Sequence, residues 1–271
     1  MFQGHPGSRL DLTASHSSLT NHLLSVSDDQ LLRITQHQFL ARAANGTLPK
    51  QLVEQWLSND LQYMQIYKGF SEHTIEILRR TKATCEFENA RKQMTVWLEA
   101  AVLNGEREEQ LFADVAKRYA MNITLTESKK NEGLRLYEKL YRTVTTSKDP
   151  EFLPWLEPAI ILWAMEKVYY EAWSWAQEQD AQGVPKNYEK DQDSGVMRKE
   201  FIPNWANDAF LDFVKQLQHT VDDWTRAAIT GDNELSTQVK SRSERVWKDV
   251  LDAEEVFWPD IDGQSLWRGT A

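Results

Sequence analysis

The sequence predicts an all-α fold, a single-domain helical bundle, and three observations lead there. Apolar residues recur at i, i+3, i+4 and i+7 over most of the 271 residues, and no alternating run long enough for a strand interrupts them. No composition break serves as a linker between two units. The third observation is the stretch from Phe152 to Trp175, FLPWLEPAIILWAMEKVYYEAWSW, whose early turns are apolar nearly all round. A helix that is hydrophobic on every side needs a partner on every side and belongs in the middle of a bundle. Pro158 inside the run, with Glu166 and Lys167 beyond it, makes the stretch too short and too interrupted to span a membrane.

The other elements follow in order. Residues 1–20 read as a disordered tail or cloning remnant, 21–262 as the helical domain and 263–271 as a polar C-terminal tail. The first helix is expected from Asp28 to Ala44, with Ser27 and Gln30 as a capping box and Asn45-Gly46 as its end. Thr47 and Pro49 open the next, which carries Trp56, Asp60, Tyr63, Met64, Tyr67 and Phe70 on one stripe. A helical pattern from Glu86 to Tyr119 has Asn104-Gly105 as an expected interruption, and Thr126 is placed to cap a helix running to Thr145 with Leu134, Tyr137, Tyr141 and Val144 in register. Asp149-Pro150 and Pro154 supply turn chemistry before the central stretch. After it, Asp180 to Lys199 is polar, contains Gly183, Pro185 and Gly195, and reads as a long surface loop that is a candidate lid. Phe201 to Ile229 is helical, Gly231-Asp232-Asn233 breaks the chain, and a last helix from Leu235 to Trp258 stops at Pro259.

Bulk properties narrow the function. A net charge of −10 argues against a nucleic-acid or anionic-membrane surface, both of which need a basic face. The single cysteine, Cys85, excludes an internal disulfide framework and fits a cytoplasmic setting. Its flanking Glu86 and Glu88 raise a thiol pKa, which makes it a poor nucleophile. No phosphate-binding glycine motif is present. Neither His73 nor His219 follows a glutamate at the spacing of the di-iron signature, so no metal is expected.

The strongest functional signal is three acids on aromatic stripes. Asp60 lies one turn from Trp56 and Tyr63; Glu254 shares a face with Trp247, with Val250 or Leu251, and with Phe257 or Trp258; Glu166 shares one with Ala159, Trp163, Tyr170 and Trp173. Buried acids must be hydrogen-bonded or hold shifted pKa values. Pattern alone leaves two readings open: three structural acids, or three acids converging on a polar heteroaromatic ligand with no cofactor.

Spread motifs then point to a family. Asn59-Asp60-Leu61-Gln62-Tyr63 resembles the Q-D-x-x-Y segment of the TenA family, the aminopyrimidine hydrolases with an all-helical, haem-oxygenase-like fold. Glu254-Glu255-Val256-Phe257-Trp258 resembles its terminal E-x-x-F-W, and Trp205 to Phe210 is similar to its Y-x-S-x-x-F helix start. The resemblance implies Asp60, Tyr63, Tyr137 (with Tyr141 as a competitor) and Trp163 as substrate-binding residues. It implies Glu254 as the acid/base, with Glu166 the candidate second carboxylate. Where the family carries a Pro-Cys step followed four residues later by tyrosine, Pro158 precedes Ala159 and Trp163 stands at the tyrosine; aligning on Glu166 puts Ile160 at the cysteine instead. Neither frame holds a thiol. The resemblance therefore implies the cysteine-less branch, which acts on aminopyrimidine or formylaminopyrimidine products of thiamine breakdown as a homodimer or homotetramer. The rival from another class is a catalytically inactive protein on the same fold that binds or senses a small pyrimidine.

Overall fold

The computed structural model describes residues 18–80, 85–146, 153–182 and 186–261, with side chains described from residue 88 onward in the second of these segments. The expected tail up to residue 17, the Asp149-Pro150 turn, Phe152, Gly183, Pro185, the Cys85 side chain and residues 263–271 lie outside the described set. Among the described residues there is no strand, and no helix is long and apolar enough to cross a membrane. Six long helices make the body: α4 (Lys50–Arg80), α5 (Cys85–Arg118), α6 (Glu132–Thr145), α7 (Leu156–Ala181), α9 (Asp208–Ile229) and α10 (Asn233–Glu255). Four short ones complete it: α1 (Leu19–Ser25), α2 (Asp28–Thr35), α3 (Gln38–Ala44) and α8 (Ile202–Trp205).

The central stretch is α7, and it packs against α2, α3, α8, α9 and α10. Every residue from Trp155 to Met165 is buried, as a helix without a polar face requires. Helix α5 rests chiefly on α4 and runs unbroken through Asn104-Gly105. Gly105 is tolerated because Lys68 and Met64 of α4 lie against its backbone, so the close helix–helix approach offsets glycine's low propensity.

Side-chain caps set several helix starts. Asn207 accepts from the Phe210 amide at 3.0 Å, and Asp232 accepts from the Leu235 amide at 2.8 Å. Boundaries depart from the sequence reading in several places; the helix expected from Phe201 to Ile229, for one, is divided at Ala206-Asn207 into α8 and α9. The expected first helix is divided at Gln36, where His37 caps α3 through its ring nitrogen, and it is preceded by α1, which begins at Leu19 inside the expected tail. Ser27 makes no capping bond; Gln30 reaches across to Asp252 and Glu255 of α10 instead. Thr126 starts a short 3₁₀ turn, and the cap of α6 is Asn131, whose side chain accepts from the Leu134 amide at 2.7 Å.

The expected loop from Asp180 to Lys199 is, over its described residues, a packed element. The Arg198 side chain is 1% exposed and donates to Asp180 at 2.7 Å and to Asp191 at 3.0 Å. Asp193 accepts from the Gly195 and Met197 amides, and a five-residue π-helix, Met197–Phe201, delivers the chain into α8. Charges distributed along a polar stretch look solvated in sequence. Here they pair with one another, which is how buried charges persist.

Candidate active site

The positioning of the site begins at Asn59, fully buried on α4. Its amide group donates to the Gln55 carbonyl at 2.9 Å, and its oxygen accepts from the Asn131 amide at 2.9 Å. Asn131 in turn donates to the Phe257 carbonyl at 2.7 Å, so one amide chain ties α4, the start of α6 and the end of α10. Gly133 completes the junction. A Cβ there would stand 2.5 Å from the Ala253 carbonyl oxygen and 2.7 Å from Phe257 Cα, so only glycine lets α6 approach α10 this closely. That approach sets Tyr137, one helical turn on, against Glu254.

These helices, together with α5, α7, α8 and α9, line a cavity of about 670 Å³. Its inner wall holds Asp60 and Tyr63 from α4, Tyr137 from α6, and Glu254 with Phe257 from the end of α10. The Tyr137 hydroxyl donates to Glu254 Oε1 at 2.5 Å, and the Tyr63 ring meets the Tyr137 ring edge-on at 4.9 Å. The Tyr63 and Tyr141 hydroxyls are 2.9 Å apart, and Tyr141 stands behind the wall with its hydroxyl 3.6 Å from the Met165 sulfur. The outer part is lined by Tyr67, Glu108, Glu166, Tyr169 and Trp205. Exposed Asn104, Arg107, Asn204 and Ala209 mark its mouth, between α5 and the α8–α9 junction.

Four carboxyls therefore face one enclosed space, and burial pushes each toward its neutral form. Asp60, 3% exposed, is raised well above the usual range by burial and then by Glu108; a hydrogen bond from Tyr169 at 3.1 Å opposes this. Burial raises Glu254 to about 7 against the hydrogen bond from Tyr137. Glu166 is raised to about 8 by burial and by neighbouring Glu108, and no described residue hydrogen-bonds it. Glu108 is raised by burial, although the Trp205 indole N–H and the Asn104 amide both donate to its Oε1 at 3.2 Å. Among the described residues no group of three or more His, Cys, Asp or Glu side chains is arranged to hold a metal ion.

The structure thus brings Asp60, Tyr63, Tyr137, Glu166 and Glu254 to one cavity and leaves Trp163 out of it. Trp163 is fully buried and stacks on Trp247 at 5.2 Å, on a face of α7 turned into the core. Ala159 and Ile160 are core residues as well. The α7 residues on the cavity wall are Met165, Glu166 and Tyr169. The cavity-facing pair with a tyrosine four residues on is therefore Met165 and Tyr169, not Ala159 and Trp163. At that cavity-facing position, which neither sequence frame picked out, the chain carries a thioether and not a thiol. Glu108, Tyr169 and Trp205 were not among the expected site residues.

No protein-family model matches the chain. A protein of Fusarium pseudograminearum described as a probable transcription factor is 24% identical over 257 residues. The match covers 85% of this chain and 50% of that protein, so the chain spans about half the length of the curated relative it matches. A TenA homologue from Pyrococcus furiosus superposes with a TM-score of 0.66 at 21% identity, over 89% of this chain and 98% of the other. A TenA homologue from Pseudomonas syringae gives 0.62 at 10% identity, over 95% and 97% of the two chains. A protein from a Silicibacter species described as a TenA family transcription regulator gives 0.61 at 11%, over 88% and 95%. The chain has the all-α, haem-oxygenase-like fold of the TenA homologues.

Proposed function

We propose that the chain hydrolyses a carbon–nitrogen bond of an aminopyrimidine or formylaminopyrimidine from thiamine breakdown, by carboxyl acid/base chemistry without a cysteine nucleophile. The observation that carries this reading is the convergence of Asp60, Tyr63, Tyr137 and Glu254 on one cavity, with Glu254 titrating at about 7. The pyrimidine ring lies against Tyr63 and Tyr137. Asp60, held neutral by burial, donates its O–H to a ring nitrogen while its other oxygen accepts from the exocyclic amine. Proton transfer onto the ring would turn the same pair into a charge-assisted one.

A carboxyl near 7 exists in both forms at neutral pH, the condition under which one group serves as base and then as acid. Ionised Glu254 takes a proton from water as the water oxygen bonds to the carbon of the scissile C–N bond, and the electron pair of that carbon's double bond moves onto the ring nitrogen (for a formyl substrate, onto the carbonyl oxygen), to return as the C–N bond breaks. The bond then breaks, and the proton on Glu254 passes to the leaving nitrogen. Glu166, expected as a second acid, has Glu108 as its electrostatic neighbour and makes no hydrogen bond to Tyr137 or Glu254; we assign proton transfer to Glu254 alone. Met165 supplies no nucleophile.

The test is product analysis with both pyrimidines, using the wild-type chain and Glu254→Gln. Ammonia or formate released by the wild type and not by the variant supports the reading. The second reading, a ligand-binding regulator, is favoured by the transcription-factor description of the Fusarium relative. It predicts a melting-temperature rise with pyrimidine but no product on prolonged incubation.

A further inference from the structure

We propose that Glu108 and Glu166 form a second subsite of the cavity, one that binds a basic nitrogen carried by the ligand outside the ring held at Asp60. The proposal deepens the functional reading above and rests on it for the ring half only. A cavity of about 670 Å³ is several times larger than a single substituted pyrimidine needs, so the ring on the inner wall leaves the outer part to be filled.

That outer part has a definite chemistry. Glu166 lines it with neither carboxyl oxygen hydrogen-bonded by any described residue. Glu108 is fixed from one side, with Trp205 and Asn104 both donating to Oε1, and its Oε2 has no donor among the described residues. Carboxyl oxygens thus outnumber the donors that reach them, and the buried Tyr67 hydroxyl, which has no hydrogen-bond partner among the described residues, lines the same space. Burial opposes the charge of both groups, and each lacks the counter-charge that would relieve it. Among the described residues Arg107 is the one cation lining the cavity, and it is exposed at the rim and makes no ion pair with any of them. The rings of Tyr67 and Tyr169 line the space beside the acids, where an ammonium gains attraction in addition to its hydrogen bonds. An ammonium brings several N–H donors and one positive charge, which is what the two carboxyls lack. A hydroxyl brings one donor and no charge.

The experiment compares two ligands on the full chain by titration calorimetry: an aminopyrimidine carrying a short terminal amine, and the same molecule ending in a hydroxyl. The amine is expected to bind at least about tenfold tighter, the worth of a partly buried charge-assisted contact. Glu108→Gln and Glu166→Gln, checked for an unchanged fold by circular dichroism, should each reduce that preference while leaving the affinity of the bare aminopyrimidine near the wild-type value. Equal or tighter binding of the hydroxyl compound by the wild type overturns the subsite, and so does a preference that survives in both variants. A simple alkylamine without the ring separates the two readings. If it binds the wild type and not the double variant while the bare aminopyrimidine fails to bind, the subsite stands and the proposed function falls.

Discussion

Replacing Glu166 by glutamine should make the protein more stable at alkaline pH and leave it unchanged in mild acid. The carboxyl titrates at about 8 in the folded chain against an ordinary 4.5, because burial and Glu108 disfavour its charge. Between those values the folded state holds a proton that the unfolded state has released. Its contribution to stability is therefore complete below 4.5 and lost as the pH rises through about 8. Each pH unit in that window counts for about 1.4 kcal/mol as an upper limit. Because Glu166 keeps contact with solvent through the cavity, the realised loss is set at about 3 kcal/mol. Glutamine has the same shape and no titration, so the variant escapes the loss. For a chain of this size about 3 kcal/mol corresponds to a melting temperature higher by about 5–10 °C near pH 9, with coincidence near pH 5. Thermal unfolding followed by circular dichroism over that pH range measures it. Asp60, Glu108 and Glu254 titrate in both proteins and largely cancel in the difference. Parallel curves for wild type and variant would refute the buried, unpartnered state of Glu166.

Other outcomes follow from the same geometry. Tyr137→Phe removes the bond that holds Glu254 down to about 7, with Tyr63, Tyr141 and Asp60 the remaining groups around it. The acid limb of kcat against pH should move up by about one pH unit, since a hydrogen bond to a charged group is worth about 1.5–3 kcal/mol; an unmoved limb would dissociate Glu254 from that limb. Asp60→Ala, which removes both the donor and the acceptor, should weaken aminopyrimidine binding about 10- to 100-fold in calorimetry, and unchanged affinity would remove Asp60 from ring recognition. Gly133→Ala should cost about 1–3 kcal/mol in denaturant unfolding and lower turnover, because α6 must back away from Ala253 and Phe257. Trp163→Ala should cost about 3–5 kcal/mol while leaving ligand affinity in the folded protein nearly intact, as its place in the core requires.

How much of this was legible in the sequence varies with the element. Asp60, Tyr63, Tyr137 and Glu254 could be placed because each sits on a helix with one apolar and one polar face, where stripe membership gives direction. On α7 that logic fails: nearly every side of its first half is buried, so periodicity could not tell the core face of Trp163 from the cavity face of Met165 and Tyr169. Glu108 was hidden for a different reason. It stands in the run Glu106-Arg107-Glu108-Glu109, which reads as a solvated helix face, and its burial comes from Trp205, about a hundred residues away in the chain. The Asp180 to Lys199 segment misled in the same way, because pairing between its own charges and their burial are tertiary facts. The helical period was readable almost throughout because it is local, whereas the caps expected at Ser27 and Thr126 and the break expected at Asn104-Gly105 yield to contacts with other helices.

The way α5 leans chiefly on α4 bears on how this protein can change. Asp60, Tyr137 and Glu254 belong to a three-helix junction laced by Asn59, Asn131 and Gly133, where most substitutions would disturb the fold. Asn104, Arg107, Glu108 and Leu111 belong to a helix with one principal neighbour. Substitutions along that wall can alter what the cavity admits at little structural cost. The cavity's outer lining can therefore be varied while Glu254 and Tyr137 stay in place, and α5 is where a laboratory selection for new ligands should begin.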